Sequence, residues 1–296
     1  IRKQYYNFII ISNMPEGPEV KIMTQGLQKN LQGKTLNAIV ILGGRYQKKA
    51  PDNFIEFNKL LPTKILEIGC KGKFIWFKFR DDWTMWCTLG MTGGWKINKE
   101  KHSHLEFNIT HQTNIDNESE VPNYETFSIW FTDMRNFGTI KFSNSQKEFQ
   151  KKLKSLGPDM LSDDSFTAEQ FIKIMRRHNN HTLPRILMNQ SYVSGIGNYL
   201  KAEALYDAKI SPHRKIEDIT DEELITLFNS VRTIIKKSFK ARGATIKNYS
   251  DINNNKGEYI FEFQVYNQKK DKNGYKVIKE LTNDKRQTHW VKEVQV

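Results

Sequence analysis

Met14-Pro15-Glu16-Gly17-Pro18-Glu19-Val20 begins the stretch that decides how this chain folds, because the ordered text of its first half can be counted outward from it. Val20, Met23, Leu27 and Leu31 recur at helical spacing, Pro18 suits a first turn and Gly33 a stop, so a helix is predicted over Gly17 to Gly33. Strand-like text follows at Leu36 to Leu42, Phe74 to Phe79, Thr84 to Leu89, Leu105 to Ile109, Phe127 to Phe131 and Thr139 to Phe142, rich in β-branched and aromatic residues. Short strands without alternating helices imply an antiparallel sandwich rather than a doubly wound sheet. The polar, acidic stretch His111 to Asn123 reads as a solvated loop between two of them. Around Gln146 helical segments take over: Ala168 to Arg177, Leu183 to Met188, Gly197 to Asp207 and Asp221 to Lys240, the last opened by Thr220 and Glu223 at capping-box spacing. An Asn-rich loop, Asp251 to Lys256, precedes two expected strands, Tyr259 to Tyr266 and Tyr275 to Leu281, joined by the polar turn Gln268 to Gly274. The fold class is α+β.

Composition narrows the function. Hydrophobic residues make up 38% of the 296, enough for two domain cores, and the formal net charge of +13 points to a polyanionic partner, most simply nucleic acid. No apolar run approaches the ~20 residues of a membrane-spanning helix, so no membrane role is expected. Cys70 and Cys87, the two cysteines, lie in apolar strand-like text and read as reduced, buried thiols of an intracellular protein; they cannot build a four-cysteine zinc site.

The opening run also carries chemistry. A Met before a Pro is what an initiator leaves for trimming, so residues 1–13 read as a leader expected to be absent from the active protein. Pro15 would then be an N-terminal secondary amine, able to form a cationic imine with an aldehyde-like carbon. Glu16 and Glu19, three apart, suit a helix N-terminus electrostatically. Beside a free amine, such a carboxyl can also donate and accept a proton. Lys71-Gly72-Lys73 could set a turn and an ammonium against a phosphate, although two solvated lysines at a strand start are the plainer reading. Gly90-Met91-Thr92-Gly93-Gly94 lacks the lysine of a P-loop, and Asp133-Met134-Arg135-Asn136-Phe137-Gly138 offers an Arg and a Phe that could wedge into a duplex. His102 with His104, and His178 with His181, have no partnering ligand at a metal spacing, and no metal site is expected.

Taken in order, these pieces resemble the formamidopyrimidine-DNA glycosylase/endonuclease VIII family of base-excision repair enzymes. The resemblance runs from Met14 to Gln295: MPEGPEV, Lys71 to Phe74, LGMTG, Lys101 to His104, DMRNFG, LGPDML at Leu156 to Leu161, NQSYVSGIGNYLKAEAL at Asn189 to Leu205, RGATIKNY, FQVYN and RQTHW. It implies an N-terminal β-sandwich catalytic domain with an N-terminal helix over 14–145 and a linker over 146–156. A helix–two-turn–helix DNA-binding domain over 157–250 and a finger hairpin over 251–296 would follow. It implies further that Pro15 attacks C1′ of a damaged nucleotide and Glu16, supported by Glu19, protonates the sugar ring oxygen. Lys73 would hold a phosphate and assist β-elimination, and Arg286 would clamp phosphates and assist δ-elimination. His102, Arg135, Asn198 and Lys247 would contact DNA, while Met91, Arg135 and Phe137 would fill the void left by a flipped nucleotide.

Three departures refine the resemblance. The four-cysteine zinc finger of bacterial members is missing although Arg286 keeps its place, which is similar to the zincless finger of eukaryotic endonuclease VIII-like 1. The start reads EGPE rather than ELPE, and Leu183 stands where formamidopyrimidine enzymes place a lysine. All three point to a bifunctional glycosylase/AP lyase for oxidised pyrimidines and hydantoins in damaged double-stranded DNA, working as a monomer without cofactor. The alternatives are an 8-oxoguanine glycosylase or, with the leader retained, a non-catalytic damaged-DNA binder.

Overall fold

The computed structural model describes residues 14–112, 123–243 and 263–296. Helix α1 (Gly17–Leu31) opens it and buries the stripe Val20, Met23, Leu27 and Leu31. After it come β1 (Thr35–Ile41), the short helices α2 (Arg45–Lys48) and α3 (Phe54–Asn58), β2 (Thr63–Lys64), β3 (Glu67–Lys71), β4 (Phe74–Lys78), β5 (Thr84–Thr88), β6 (Gly93–Lys96), β7 (Ser103–Gln112), β8 (Tyr124–Asp133) and β9 (Thr139–Ser143). They form two antiparallel sheets, β2-β1-β7-β8-β6 and β3-β4-β5-β9. One core joins them: Trp95, Phe107 and Phe131 from the first sheet meet Ile75, Phe77, Met85 and Phe142 from the second. The ring of Trp95 lies 5.5 Å from that of Phe77 across the gap. This is the expected sandwich. Strands β2, β3 and β6 were not legible, because Glu67–Lys71 and Gly93–Lys96 carry too few apolar residues to show alternation. Strand β7 runs through His111 and Gln112, two residues into the segment read as a loop.

The outward face of the second sheet carries Trp76 and Trp86, which would be costly to leave in water. Helix α4 (Gln146–Lys154) covers it: Phe149 is buried, 5.7 Å from the Trp76 ring and 6.4 Å from that of Trp86. The stretch read as a linker is thus mostly helix, capped by Ser145, whose hydroxyl accepts from the Glu148 amide at 3.2 Å. Only Phe149 and Leu153, four apart, betrayed it.

Helices α5 (Ala168–Arg176), α6 (Leu183–Leu187), α7 (Asn198–Asp207) and α8 (Asp221–Lys240), with a 3-10 turn at Ile216–Asp218, surround a second core. Helix α7 is enclosed on all sides from Tyr199 to Tyr206. Val265, Tyr266, Val277 and Val291 of the C-terminal segment belong to this same core.

The finger is displaced along the sequence from where it was expected. Its strands are β10 (Ile278–Leu281) and β11 (Gln287–Trp290), paired from Ile278↔Trp290 to Leu281↔Gln287. Of the expected strand Tyr259 to Tyr266, residues 259–262 lie outside the described residues and 263–266 are not extended in a sheet. The amides of Gln264, Val265 and Tyr266 all donate to the Glu203 carboxylate, at 2.8, 3.0 and 2.7 Å, which replaces a strand partner. The turn Gln268 to Gly274 does form: the Asp271 carboxylate accepts from the amides of Asn273 and Tyr275 and from the Tyr206 hydroxyl. The leader, Lys247 and the Asn-rich loop Asp251 to Lys256 lie outside the described residues. Among those described, no helix is long and apolar enough to cross a membrane.

Candidate active site

Glu16 sits where two helices begin. It is the residue before α1, and its amide donates to the Glu19 carboxylate at 2.9 Å. Its own carboxylate lies across the start of α7, accepting from the Tyr199 amide at 2.8 Å and the Leu200 amide at 3.2 Å. Helix α7 begins after Gly197, which has no side chain to satisfy these amides, so a carboxylate from the other domain caps it. A Cβ on Gly197 would stand 2.2 Å from the Glu16 carboxyl carbon, and glycine is what lets the two approach. Glu19 is fully buried and accepts from the Tyr199 hydroxyl at 3.0 Å, which in turn lies 2.9 Å from the Ser238 hydroxyl.

Burial is the dominant force on the Glu16 carboxyl. It raises the pKa to about 7, against the opposing pull of Lys73 and the two amides and with help from the nearby Glu19 charge. Burial also lowers the Lys73 ammonium, which Glu16 pulls upward and Arg286 pushes further down. The fold therefore sets Lys73 within electrostatic reach of both Glu16 and Arg286, with the buried Pro15 next to Glu16 in the chain. Each partner alone was legible as a motif; the coupling was not.

Lys71 and Lys73 have separate fates. Lys71 turns away and donates to the carbonyls of Leu153 and Leu156 at 3.2 and 2.9 Å, closing the end of α4. Gly72, at φ +56°, gives its amide to Asp159 at 2.7 Å. The hairpin tip thereby docks on the second domain and leaves Lys73 facing Glu16. A parallel seam joins the Gly17 amide to the Gly195 carbonyl at 2.8 Å.

The two loops after β5 and β8 are pinned together. Asp133 accepts from the Gly138 amide at 2.6 Å, the Arg135 amide at 3.2 Å and the Thr92 hydroxyl. Gly90, at φ +60°, packs on Phe137 and Gly138. Met91 is half-buried, while Arg135 and Phe137 project, the guanidinium 5.3 Å from the exposed Phe137 ring. The His102 carbonyl accepts from the Asp133 amide at 3.0 Å, which brings His102 to the same rim.

Known proteins share this fold. Residues 14–140 match the formamidopyrimidine-DNA glycosylase N-terminal domain and residues 156–250 the formamidopyrimidine-DNA glycosylase H2TH domain. The formamidopyrimidine-DNA glycosylase of Lactobacillus johnsonii is 31% identical over 259 residues, covering 86% of this chain and 87% of that protein. The chain belongs to the formamidopyrimidine-DNA glycosylase family. Among solved structures, a Lactococcus lactis FPG mutant in complex with a Fapy-dG containing DNA superposes with a TM-score of 0.79 at 25% identity, over 95% of this chain and 99% of that one. The MutM (FPG) protein of Thermus thermophilus, at 24% identity, shares the fold with the same TM-score over 95% and 98% of the two chains. Membership makes the protein a DNA glycosylase of base-excision repair.

Within that family frame, Asn198 is the first residue of α7 and donates to the Gln287 carbonyl at 2.9 Å, so it touches the finger. Arg286 is exposed at the turn between β10 and β11. Lys201 and Asp284, which the motif reading passed over, form a buried ion pair at 2.8 Å beneath that turn. Leu183 is enclosed in the second core rather than presented to a cleft. A four-cysteine zinc site does not fit this finger, because Cys70 and Cys87 stand on β3 and β5 in the other domain. No group of three or more potential metal ligands occurs among the described residues.

Proposed function

We propose that this chain is a bifunctional DNA glycosylase and AP lyase that removes oxidised pyrimidines and hydantoins from damaged duplex DNA. With the chain trimmed after Met14, the Pro15 amine attacks C1′, the bond from C1′ to the base breaks, and the base leaves with the proton the amine gives up, so that the nitrogen replaces the base on the closed sugar. Glu16 delivers its proton to the ring oxygen, the bond from C1′ to that oxygen breaks, and the opened sugar is left joined to Pro15 as a cationic imine. Loss of the C2′ proton and departure of the 3′ phosphate complete β-elimination, assisted by Lys73; loss of the C4′ proton and departure of the 5′ phosphate, with Arg286 on it, complete δ-elimination. Met91, Arg135 and Phe137 occupy the emptied stack, and His102, Asn198 and Lys247 hold phosphates.

The observation that carries this reading is the Glu16 carboxyl. It is buried next to Pro15, oriented by two α7 amides, and shifted to a pKa of about 7, where it holds a proton to donate near neutrality. The test is borohydride trapping on an abasic-site duplex with protein whose first residue, by intact mass, is Pro15. An adduct mapped to Pro15 is expected. Its absence from correctly trimmed protein would sink the mechanism and leave the damaged-DNA binder.

Lesion choice is carried by the finger. Leu183 is enclosed, and Gly17 packs against Gly195, so neither of those departures faces a base. A metal-free finger that still presents Arg286 resembles the endonuclease VIII-like branch and supports oxidised pyrimidines. The name shared by the similar curated proteins, formamidopyrimidine-DNA glycosylase, supports the rival 8-oxoguanine reading. Single-turnover excision from thymine glycol and from 8-oxoguanine opposite cytosine separates the two. Faster release of 8-oxoguanine would overturn the pyrimidine preference.

A further inference from the structure

The turn that presents Arg286 has an unusual foundation. Lys201 comes from the middle of α7 with its side chain fully enclosed, and Asp284, whose side chain is 4% exposed, meets it at 2.8 Å. The other Asp284 oxygen accepts from the Thr282 hydroxyl at 2.6 Å and from the Arg286 amide at 3.3 Å. The Thr282 amide donates to the Arg286 carbonyl at 3.1 Å, and Lys285 turns the chain at φ +59° with its amide on the Thr282 carbonyl at 2.8 Å. One carboxylate thus ties Thr282 to Arg286 across the turn, and one ammonium ties that carboxylate to α7.

Desolvating both charges is expensive, and such a pair is a poor device for stability alone. What it supplies is register. Helix α7 holds the Glu16 carboxylate through its first amides and, from the residue right after Leu200, holds the finger turn through Lys201. A rigid helical segment of three residues therefore fixes the spacing between the acid and the finger arginine. Where other fingers could use bound metal to hold such a turn, this one has no cysteine to do so.

We propose that the Lys201–Asp284 pair is the positioning element of Arg286, setting where its guanidinium meets the DNA phosphates relative to Glu16. This rests on the reading that Arg286 serves phosphate clamping and δ-elimination. Lys201 and Asp284 are both enclosed and act through the Thr282–Arg286 turn.

The test uses the full chain trimmed to Pro15 and a duplex carrying an abasic site, with a tetrahydrofuran-site duplex for affinity. Asp284→Asn is expected to shift products from δ- to β-elimination at least tenfold and to weaken tetrahydrofuran-duplex binding as much as Arg286→Ala does. The borohydride adduct at Pro15 should change less than threefold. In an Arg286→Ala background, Asp284→Asn should add nothing. Since Asp284→Asn leaves a buried lysine and could loosen the finger, the apolar double variant Lys201→Met/Asp284→Leu is measured beside it. Its melting midpoint is expected to match the wild type while the product shift persists. The proposal is overturned if the double variant keeps the wild-type product ratio and affinity, or if Asp284→Asn lowers either one further when Arg286 is already gone. If the wild type neither traps nor incises, the catalytic reading fails, and the affinity comparison still decides the pair.

Discussion

At the scale of single residues, the site depends on how closely two backbones approach one carboxyl. With a pKa of about 7 set by burial, Glu16 is protonated below that value and ionised above it. The proton donor for base excision in single turnover is therefore expected to be lost as pH rises through about 7, giving the profile a descending limb there. Glu16→Gln should remove that descending limb together with about a hundred- to ten-thousandfold of the excision rate. It should spare part of the lyase activity on preformed abasic sites, where no base has to leave. Equal loss of both activities would contradict the acid role. Gly197→Ala is a sharper probe, because it alters no catalytic group. Its methyl would fall 2.2 Å from the Glu16 carboxyl carbon, so the carboxyl must move by more than an ångström. A displacement of that size is expected to cost about a hundredfold in excision, with a melting midpoint close to the wild type. Unimpaired excision in this variant would mean that Glu16 does not work from its amide-held position.

Elements show where sequence was a sufficient guide. Helix α8 has the bounds read from the sequence, because its start is written in two reciprocal bonds: the Thr220 hydroxyl accepts from the Glu223 amide at 3.2 Å, and the Glu223 carboxylate accepts from the Thr220 amide at 2.8 Å. Thr220→Ala is expected to lower stability by about 1 kcal/mol, measured by denaturant titration, with excision unchanged. Six of the nine sandwich strands and α1 were legible for a similar reason, since each carries its own periodicity. What escaped was structure whose reason lies elsewhere in the chain. Helix α4 exists to cover Trp76 and Trp86. The segment 263–266 leaves its strand because Glu203, some sixty residues away, takes its amides. The finger hairpin then falls on Ile278–Trp290 instead. The site divides the same way. Pro15, Glu16, Lys73 and Arg286 stand in recognisable motifs, whereas the α7 amides, Gly197, Asp159 and the Lys201–Asp284 pair are visible only once the domains meet. A glycine directly before a helix start, in GIGNY, was the one hint that a foreign carboxylate caps α7.

For the whole molecule, the question is what keeps two separately cored domains at the distance the chemistry needs. Their seam at the site is built largely from main-chain atoms: Gly17 to Gly195, Gly72 to Asp159, and Glu16 to the first turn of α7. Gly72 is the position where this can be attacked without touching a charged group. Its φ of +56° disfavours any other residue, and a Cβ there would lie 2.7 Å from Ser194 Cβ and 2.8 Å from the Gly195 nitrogen. Gly72→Ala must therefore push the β3–β4 tip off the second domain, at a backbone cost of about 1–2 kcal/mol before the clash is counted. Lys73 rides on that tip, so its ammonium would leave the neighbourhood of Glu16. Strand incision is expected to fall to the level of Lys73→Ala, although Lys73 itself is intact. Because the Glu16 carboxyl would lose the Lys73 charge, which now pulls its pKa down, the fall of excision with rising pH should move to higher pH. A structural defect alone would lower the rate without moving the profile. An unchanged pH profile together with wild-type incision would show that the domains are held at this distance by something other than the docked tip.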